Sequence, residues 1–460
     1  MRKSFHVAAL VAVGAIALPA QAQPVLTLDE AIALAQAHSL PVATSQSKLK
    51  QAQQQIGQTY AGLYPQLSLS SSALSYRQID ANAISNFGSF GGAGGAAGGL
   101  GGGLGGFGGA NLGSFSGGGG AFNMVTNSLT LTQVLFDGFQ TADALRIADA
   151  TVKMDQIDEA NQRRKAAYDL SNAYFQVLRT QSLREVASKA VTQAQAHVEA
   201  AEIRERAGTG TRFDVLQAQA QLANVEGQLR SATNNVELAR LNLGVVMGEP
   251  LGNRTPSPVA VLPSAHLDLE QDLTPALESR PEIQTLVVKQ RIDLANIDLK
   301  RKTNLPKAQA QAQYSQQGIG TGRSFMVMAG VSWNLIDWGK ADSTVVAAEE
   351  DARQTQLNLE LARRSGAVDI QSAVLSRQDA HDRVAIAQKG LQVSQESFRM
   401  AEVRYNAGVG TGYEVIDAQT ALVQAQSNYV QATYDLQTAE IRLAQALGVD
   451  LQQVLAQKRS

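Results

Sequence analysis

The hydrophobic pattern of this chain changes period several times, and each change marks an element. Residues 42–62 and 281–303 are rich in Ala, Gln, Leu and Lys, and both runs end near a proline, Pro65 and Pro306. Each predicts a helix that stops before an extended segment. The period then drops to two. In Ser324–Leu335 the apolar set Phe325, Val327, Ala329, Val331, Trp333 and Leu335 alternates with Ser324, Met326, Met328, Gly330, Ser332 and Asn334. In Asn127–Leu135, Leu129, Leu131 and Leu135 alternate with Ser128, Thr130, Thr132 and Val134. Such alternation predicts strands with one apolar and one polar face. Leu67–Tyr76 and Ala308–Ser315 are weaker partners, the second with Gln309, Gln311 and Gln313 on one side.

Long helical stretches without proline follow each strand pair, Gln140–Arg206 and Lys340–Asn406. At ~1.5 Å per residue each predicts a rod of ~100 Å, longer than a globular domain and longer than the ~30 Å hydrocarbon core of a bilayer. Rods of that length need lateral support. In the next stretch Val215, Ala218, Leu222, Val225, Leu229, Ala232, Val236, Ala239, Leu243 and Val246 step three and four without a miss. So do Val415, Ala418, Leu422, Ala425, Tyr429, Ala432, Leu436, Ala439, Leu443 and Ala446. A sustained 3.5 period is a coiled-coil seam, which predicts antiparallel helical hairpins.

The two halves are copies of one another. Ala201–Leu222 aligns with Ala401–Leu422 at an offset of 200 residues, without a gap and with eleven identities in twenty-two positions. The same offset pairs Leu135-Phe136-Asp137 with Leu335-Ile336-Asp337, each beside a glycine, Gly138 or Gly339. The hairpin turns are the repeated motif, Ala207-Gly208-Thr209-Gly210-Thr211 and Ala407-Gly408-Val409-Gly410-Thr411. Glycine allows the reversal, and Thr211 with Asp214 and Thr411 with Glu414 fit capping boxes that open the next helix. The predicted organisation is a first repeat over 23–248, a linker over 249–280, a second repeat over 281–447 and a tail over 448–460.

Composition narrows the function. Of 460 residues, 17% are charged and 5% aromatic, the formal charge is −2, and there is no cysteine. The charge balance speaks against nucleic acid as a partner. The missing thiols remove disulfides, thiolate metal sites, cysteine nucleophiles and a lipidated N-terminal cysteine. His38, His197, His266 and His381 lack ligand or triad spacing, so no catalytic, metal or cofactor site is expected. Arg2 and Lys3, an apolar run from Val7 to Leu18 and Pro19-Ala20-Gln21-Ala22 read as a secretory signal over 1–22. Residues 88–120 hold 19 glycines in 33 positions, and no Asp, Glu, Lys or Arg occurs from Ala81 to Phe136. That composition predicts an exposed loop. Four strands cannot close a barrel within one chain, and an open sheet edge is not tolerated in lipid. The strands are therefore shared between copies or lie outside a membrane.

In the order and spacing of these motifs, from about Leu26 to Val449, the chain resembles the TolC-type outer-membrane channel family. The resemblance implies a mainly α fold with a small β part. Long coiled-coil hairpins would form a periplasmic α-barrel, and four strands per chain would contribute to a trimeric twelve-stranded outer-membrane β-barrel. It implies a passive exit duct for tripartite efflux or type I secretion, which docks an inner-membrane transporter through a periplasmic adaptor protein. By the same resemblance the adaptor-docking tip would be Gly208, Thr209, Gly210, Gly408, Val409 and Gly410. Asp214, Tyr405, Glu414 and Asp417 would serve the pore entrance and its gate. The apolar strand phase makes Leu129, Leu131, Phe325, Val327, Val331 and Trp333 the expected lipid-facing residues. The competing reading is a secreted coiled-coil structural or adhesin protein displaying the glycine-rich loop.

Overall fold

The computed structural model describes residues 25–76, 122–258, 269–317, 322–449 and Leu451. The leader over 1–22, the glycine-rich segment over 88–120, part of the linker and most of the tail lie outside the described residues.

The elements run β1 (Val25–Leu26), α1 (Leu28–His38), α2 (Leu40–Ala61), β2 (Gln66–Tyr76), β3 (Phe122–Phe136), α3 (Gln140–Arg206) and α4 (Arg212–Met247). There follow β4 (Thr255–Pro256), α5 (Leu269–Ser279), α6 (Pro281–Arg301), β5 (Lys307–Gln317), β6 (Gly322–Ser332), α7 (Lys340–Asn406) and α8 (Gly412–Ala446). Both long rods have the extent that the hydrophobic pattern predicts. The chain forms two compact units. One holds the described residues of Met1–Gln54, Ala148–Leu294 and Glu350–Ser460; the other holds those of Gln55–Ile147 and Ala295–Glu349. Neither unit is one of the repeats, because each repeat gives segments to both.

The strand unit is a four-stranded antiparallel sheet in the order β2-β3-β5-β6. Its register aligns the alternation of all four strands, since residues directly opposite share a face. Leu69, Leu129, Tyr314 and Phe325 form one cross-strand row, and Leu67, Leu131, Ala312 and Val327 the next. The opposite face carries Ser68, Thr130, Gln313 and Met326 in one row and Ser70, Ser128, Ser315 and Ser324 in another. In that second row Ser70 and Ser128 share a hydrogen bond of 2.7 Å, and Ser315 and Ser324 one of 2.6 Å. β2 and β6 are the ends of the sheet, each with a single neighbour among the described residues.

The last strand is shorter than its alternation suggests. β6 ends at Ser332, so Trp333 and Leu335 belong to the exit turn. The turn is held from outside the strand: the Trp333 indole donates to the Asn304 carbonyl at 3.0 Å, and the Asn304 amide donates to Asp337 at 3.0 Å. Asp337 also accepts from the Ala341 amide at 2.9 Å, closing the first turn of α7. Among these, the Asn304 bond does most to hold its carboxyl below the usual range.

In the helical unit, α4 packs on α3, α3 on α8 and α8 on α7. Val225 sits with Ala190, Val191 and Ala194. The buried Gln419 donates to the Ala190 carbonyl at 3.0 Å. Ile370 and Ala373 of α7 meet Leu443 and Ala446 of α8, and beside them Arg377 donates to the buried Glu440 at 2.7 Å. The seam positions Val215, Ala218, Val225, Val236 and Leu243 are buried, as are Val415, Leu422 and Leu443. The largest core lies where α1 joins α3 and α4, around Ile32, Leu170, Tyr174, Phe175, Leu243 and Met247. Tyr174 donates to the carbonyls of Leu26 and Ser257 at 2.9 and 2.7 Å, which ties the parallel β1–β4 pair to that core.

Candidate functional site

The two hairpin tips share one backbone. After α3 the amides of Gly208, Thr209 and Gly210 donate to the carbonyls of Glu205, Arg204 and Arg204 at 3.0, 2.9 and 3.1 Å. After α7 those of Gly408, Val409 and Gly410 donate to Tyr405, Arg404 and Arg404 at 2.9, 3.1 and 3.0 Å. The paired glycines are required for different reasons. Gly208 and Gly408 have φ of +74° and +79°, the left-handed region that side chains disfavour. At Gly210 and Gly410 a Cβ would lie 2.9 Å from the Arg204 Cβ and 3.0 Å from the Tyr405 nitrogen. Turn geometry therefore accounts for both glycine motifs, and it leaves Thr209 and Val409 exposed at the ends.

The capping chemistry divides the tips. Thr211 and Asp214 form the reciprocal box: the Asp214 amide donates to the Thr211 hydroxyl at 3.2 Å, and Thr211 donates back to the carboxylate from its amide and hydroxyl at 3.1 and 2.7 Å. At the second tip Thr411 caps the Glu414 amide at 3.3 Å, but the return bond from the Thr411 amide is not made. Glutamate is one methylene longer: one carboxylate oxygen accepts from the Thr411 hydroxyl at 3.4 Å and the other reaches the Arg404 Nε at 3.5 Å. The expected second capping box is thus half formed.

Side chains between the tips form a cluster that motif reading did not bring out. The Arg204 guanidinium lies over the Tyr405 ring, 4.1 Å from its centre, and donates to the Tyr405 carbonyl. The His197 ring lies against the same phenol with centres 5.2 Å apart. Both His197 and Tyr405 are buried. Burial pushes the His197 imidazole below its usual value, and the nearby Asp214 carboxylate opposes that in part. Gly412 borders the cluster: a Cβ there would stand at ordinary contact distance, 3.7–3.8 Å, from Asp214, His197 and Tyr405. Of the expected gate residues, Tyr405 packs on His197 and Asp214 lies near the same imidazole, Glu414 reaches Arg404, and Asp417 is exposed. The missed residues Arg204, His197 and Gly412 did leave one trace. Glu205 and Arg212 pair at 3.5 Å, whereas their counterparts 200 residues on, Tyr405 and Gly412, cannot form an ion pair.

Both faces of β6 are open in the single chain, since Met326 and Met328 of the opposite phase are exposed too. Phe325, Val327 and Val331 are about 70% exposed, Leu129 and Leu131 are 40% exposed, and all lie on the apolar face. Trp333, beyond the strand, is exposed as well. Among the described residues no helix is long and apolar enough to cross a membrane, and no group of acidic and imidazole side chains could hold a metal ion.

The outer membrane efflux protein family model matches residues 31–249 and 273–449. The chain belongs to the outer membrane efflux protein family. Among efflux relatives, the outer membrane efflux protein BepC of Brucella suis is 27% identical over 333 residues, which is 70% of this chain and 72% of BepC. The fold is shared with the outer membrane protein VceC of Vibrio cholerae, at a TM-score of 0.70 and 18% identity over 92% of this chain and 96% of VceC. It is shared too with the CmeC outer membrane channel of Campylobacter jejuni, at a TM-score of 0.72 and 15% identity over 94% and 88% of the two chains.

Proposed function

We propose that this chain is one of three identical subunits of a passive outer-membrane exit duct, whose helical hairpins reach into the periplasm toward an adaptor protein and an inner-membrane transporter. The observation that carries this reading is the sheet. All four strands share one apolar face, their opposite face is built mainly of Ser, Thr and Gln with Lys307 at its end, and both end strands are open. A sheet of that kind is stable in lipid only when copies close it, with β6 of one subunit beside β2 of the next. The helical unit has matching unpartnered edges. On α7, Leu361, Val368 and Leu375, then Ile386, Val393 and Met400, are exposed at heptad spacing; on α4, Leu238, Leu241 and Val245 are exposed. These stripes suit coiled-coil packing between neighbouring copies. An adhesin stalk has no use for an apolar face across four strands.

The decisive experiment compares adjacent positions of β6. Val327→Arg places a charge on the apolar face and should cost roughly 2–4 kcal/mol at mid-depth, so assembled trimer falls sharply. Met328→Arg, on the polar face, should assemble. Equal amounts of trimer in the two variants would overturn the reading.

At the tips, the docking surface would be Gly208, Thr209, Gly210, Gly408, Val409 and Gly410. Substituting the left-handed glycines would disturb the turn itself, so Thr209→Trp and Val409→Trp are the cleaner probes. Each should leave trimers in the membrane and stop export; unchanged export in both rejects docking there. Glu414 and Asp417, three apart at one helix start, would become acidic rings under threefold symmetry, with Asp214 and Tyr405 behind them. Charged rings select cations. Glu414→Gln with Asp417→Asn should weaken cation selectivity in planar bilayers, and unchanged selectivity removes the rings.

A further inference from the structure

Among the described residues, the non-glycine positions with positive φ are Phe139 (65°) and Trp338 (54°). They occupy repeat-related turns, Asp137-Gly138-Phe139 between β3 and α3 and Asp337-Trp338-Gly339 between β6 and α7. Each turn holds two successive residues of positive φ, one a glycine and one an aromatic, in opposite order. The order in the first turn has a steric cause, because a Cβ on Gly138 would lie 2.9 Å from the Leu305 Cβ. In the second turn Gly339 faces open space, so crowding does not dictate where the aromatic stands.

A bulky side chain on left-handed backbone is strained, and strain kept in a structure points to a task. Packing within the chain offsets little of it here. Trp338 is 95% exposed, and Ile336 and Phe139 are exposed as well, although Phe139 meets the edge of Phe136 at 5.3 Å. Their place along the sheet suggests what covers them. The outward row of β6 begins at Arg323, runs through Phe325, Val327, Ala329 and Val331, and is followed by Trp333. At ~3.3 Å per residue and a barrel tilt of ~35–45°, Arg323 and Trp333 stand about 25 Å apart along the membrane normal, the height of a barrel's apolar band. Trp338 lies beyond that band, at the sheet end, two residues before the exposed Lys340.

We infer that Trp338, flanked by Ile336 and Phe139, is an anchor that seats the strand-to-helix turn among the phospholipid headgroups of the periplasmic leaflet and limits how deep the barrel sinks. The inference rests on the lipid-facing reading of the sheet. Indole suits this position because its ring is apolar, its N–H can donate, and its face attracts the ammonium of a headgroup. Lys340, at the start of α7, supplies a cation for headgroup phosphates.

The chain has two tryptophans, so each can be made the sole fluorophore. Trp333→Phe and Trp338→Phe proteins are reconstituted in phosphatidylethanolamine–phosphatidylglycerol vesicles doped with phosphatidylcholine brominated either near the headgroup or near the chain end. Both tryptophans should lose emission to bromolipid, and Trp338 should lose more to the shallow bromine than to the deep one. Trp338 emission quenched by aqueous acrylamide but by neither bromolipid would place it in water and overturn the anchor. Emission quenched by none of the three would place it under a neighbouring subunit, where Tyr60 and Tyr64 are exposed beside the β2 edge, and would also overturn it. Failure at Trp338 with quenching at Trp333 rejects the anchor alone; failure at both rejects the lipid-facing sheet.

Discussion

The two hairpin tips show how a duplicated chain keeps a backbone and reassigns its side chains. Their reversals carry matching backbone hydrogen bonds and left-handed glycines, and each has a threonine cap, complete at the first tip and partial at the second. What differs is where each arginine goes. Arg404 stays at its own tip and meets Glu414, both partners largely in water. Arg204 leaves its hairpin and clamps Tyr405 of the other. The departure from the repeat that matters here is Tyr405 in place of the Glu205 equivalent, since it supplies the aromatic ring that Arg204 covers. Local geometry sets the reversal, then, and the departures from the repeat couple the two hairpins.

The largest expected difference between the halves lies at their strand exits. Gly138→Ala meets both a left-handed φ and the Leu305 side chain, whereas Gly339→Ala meets only the φ. The first should cost roughly 2–4 kcal/mol and the second about 1–2 kcal/mol, read as the temperature at which assembled protein dissociates. Equal losses would show that the two turns are built alike. At the tips, Arg204→Ala removes a ring contact and a charged hydrogen bond at a buried partner and should cost about 1–2 kcal/mol. Arg404→Ala removes a solvated ion pair and should cost about 0–1 kcal/mol. Hydrogen exchange of the amides over 404–411 measures both, and equal protection would break the contrast.

The smallest effect should come from pH. His197 has a lowered pKa in the folded state, so the unfolded or opened state binds the proton more readily. Stability from the neutral imidazole is therefore complete above its ordinary value of about 6.5 and is lost as pH falls through the folded value. Single-channel conductance should change over that acidic window in the parent protein and remain flat in His197→Asn. A transition that survives in His197→Asn would assign the titration to another group.

The sequence alone determined the parts whose physics is local. The period of two, the seams stepping by three and four, the glycine turns and the 200-residue duplication establish which segments are strands, rods and reversals, because they reflect neighbours along the chain. They also carried enough of a family resemblance to imply the fold class. Tertiary structure decided everything that depends on register and proximity. Alternation within one strand does not say which face its neighbour will join; the pairing of Leu129 with Tyr314 and of Tyr314 with Phe325 does. Trp333 looked like a strand residue until Asn304 drew it into a turn. Glu414 and Asp214 occupy equivalent places, but the longer side chain of the first gives up the Thr411 amide and adds Arg404, whereas the second completes its cap near His197. Arg204 and Tyr405 are 201 positions apart, and no period connects them. Their contact depends on two hairpins packing side by side, which is decided by burial and space across the helices.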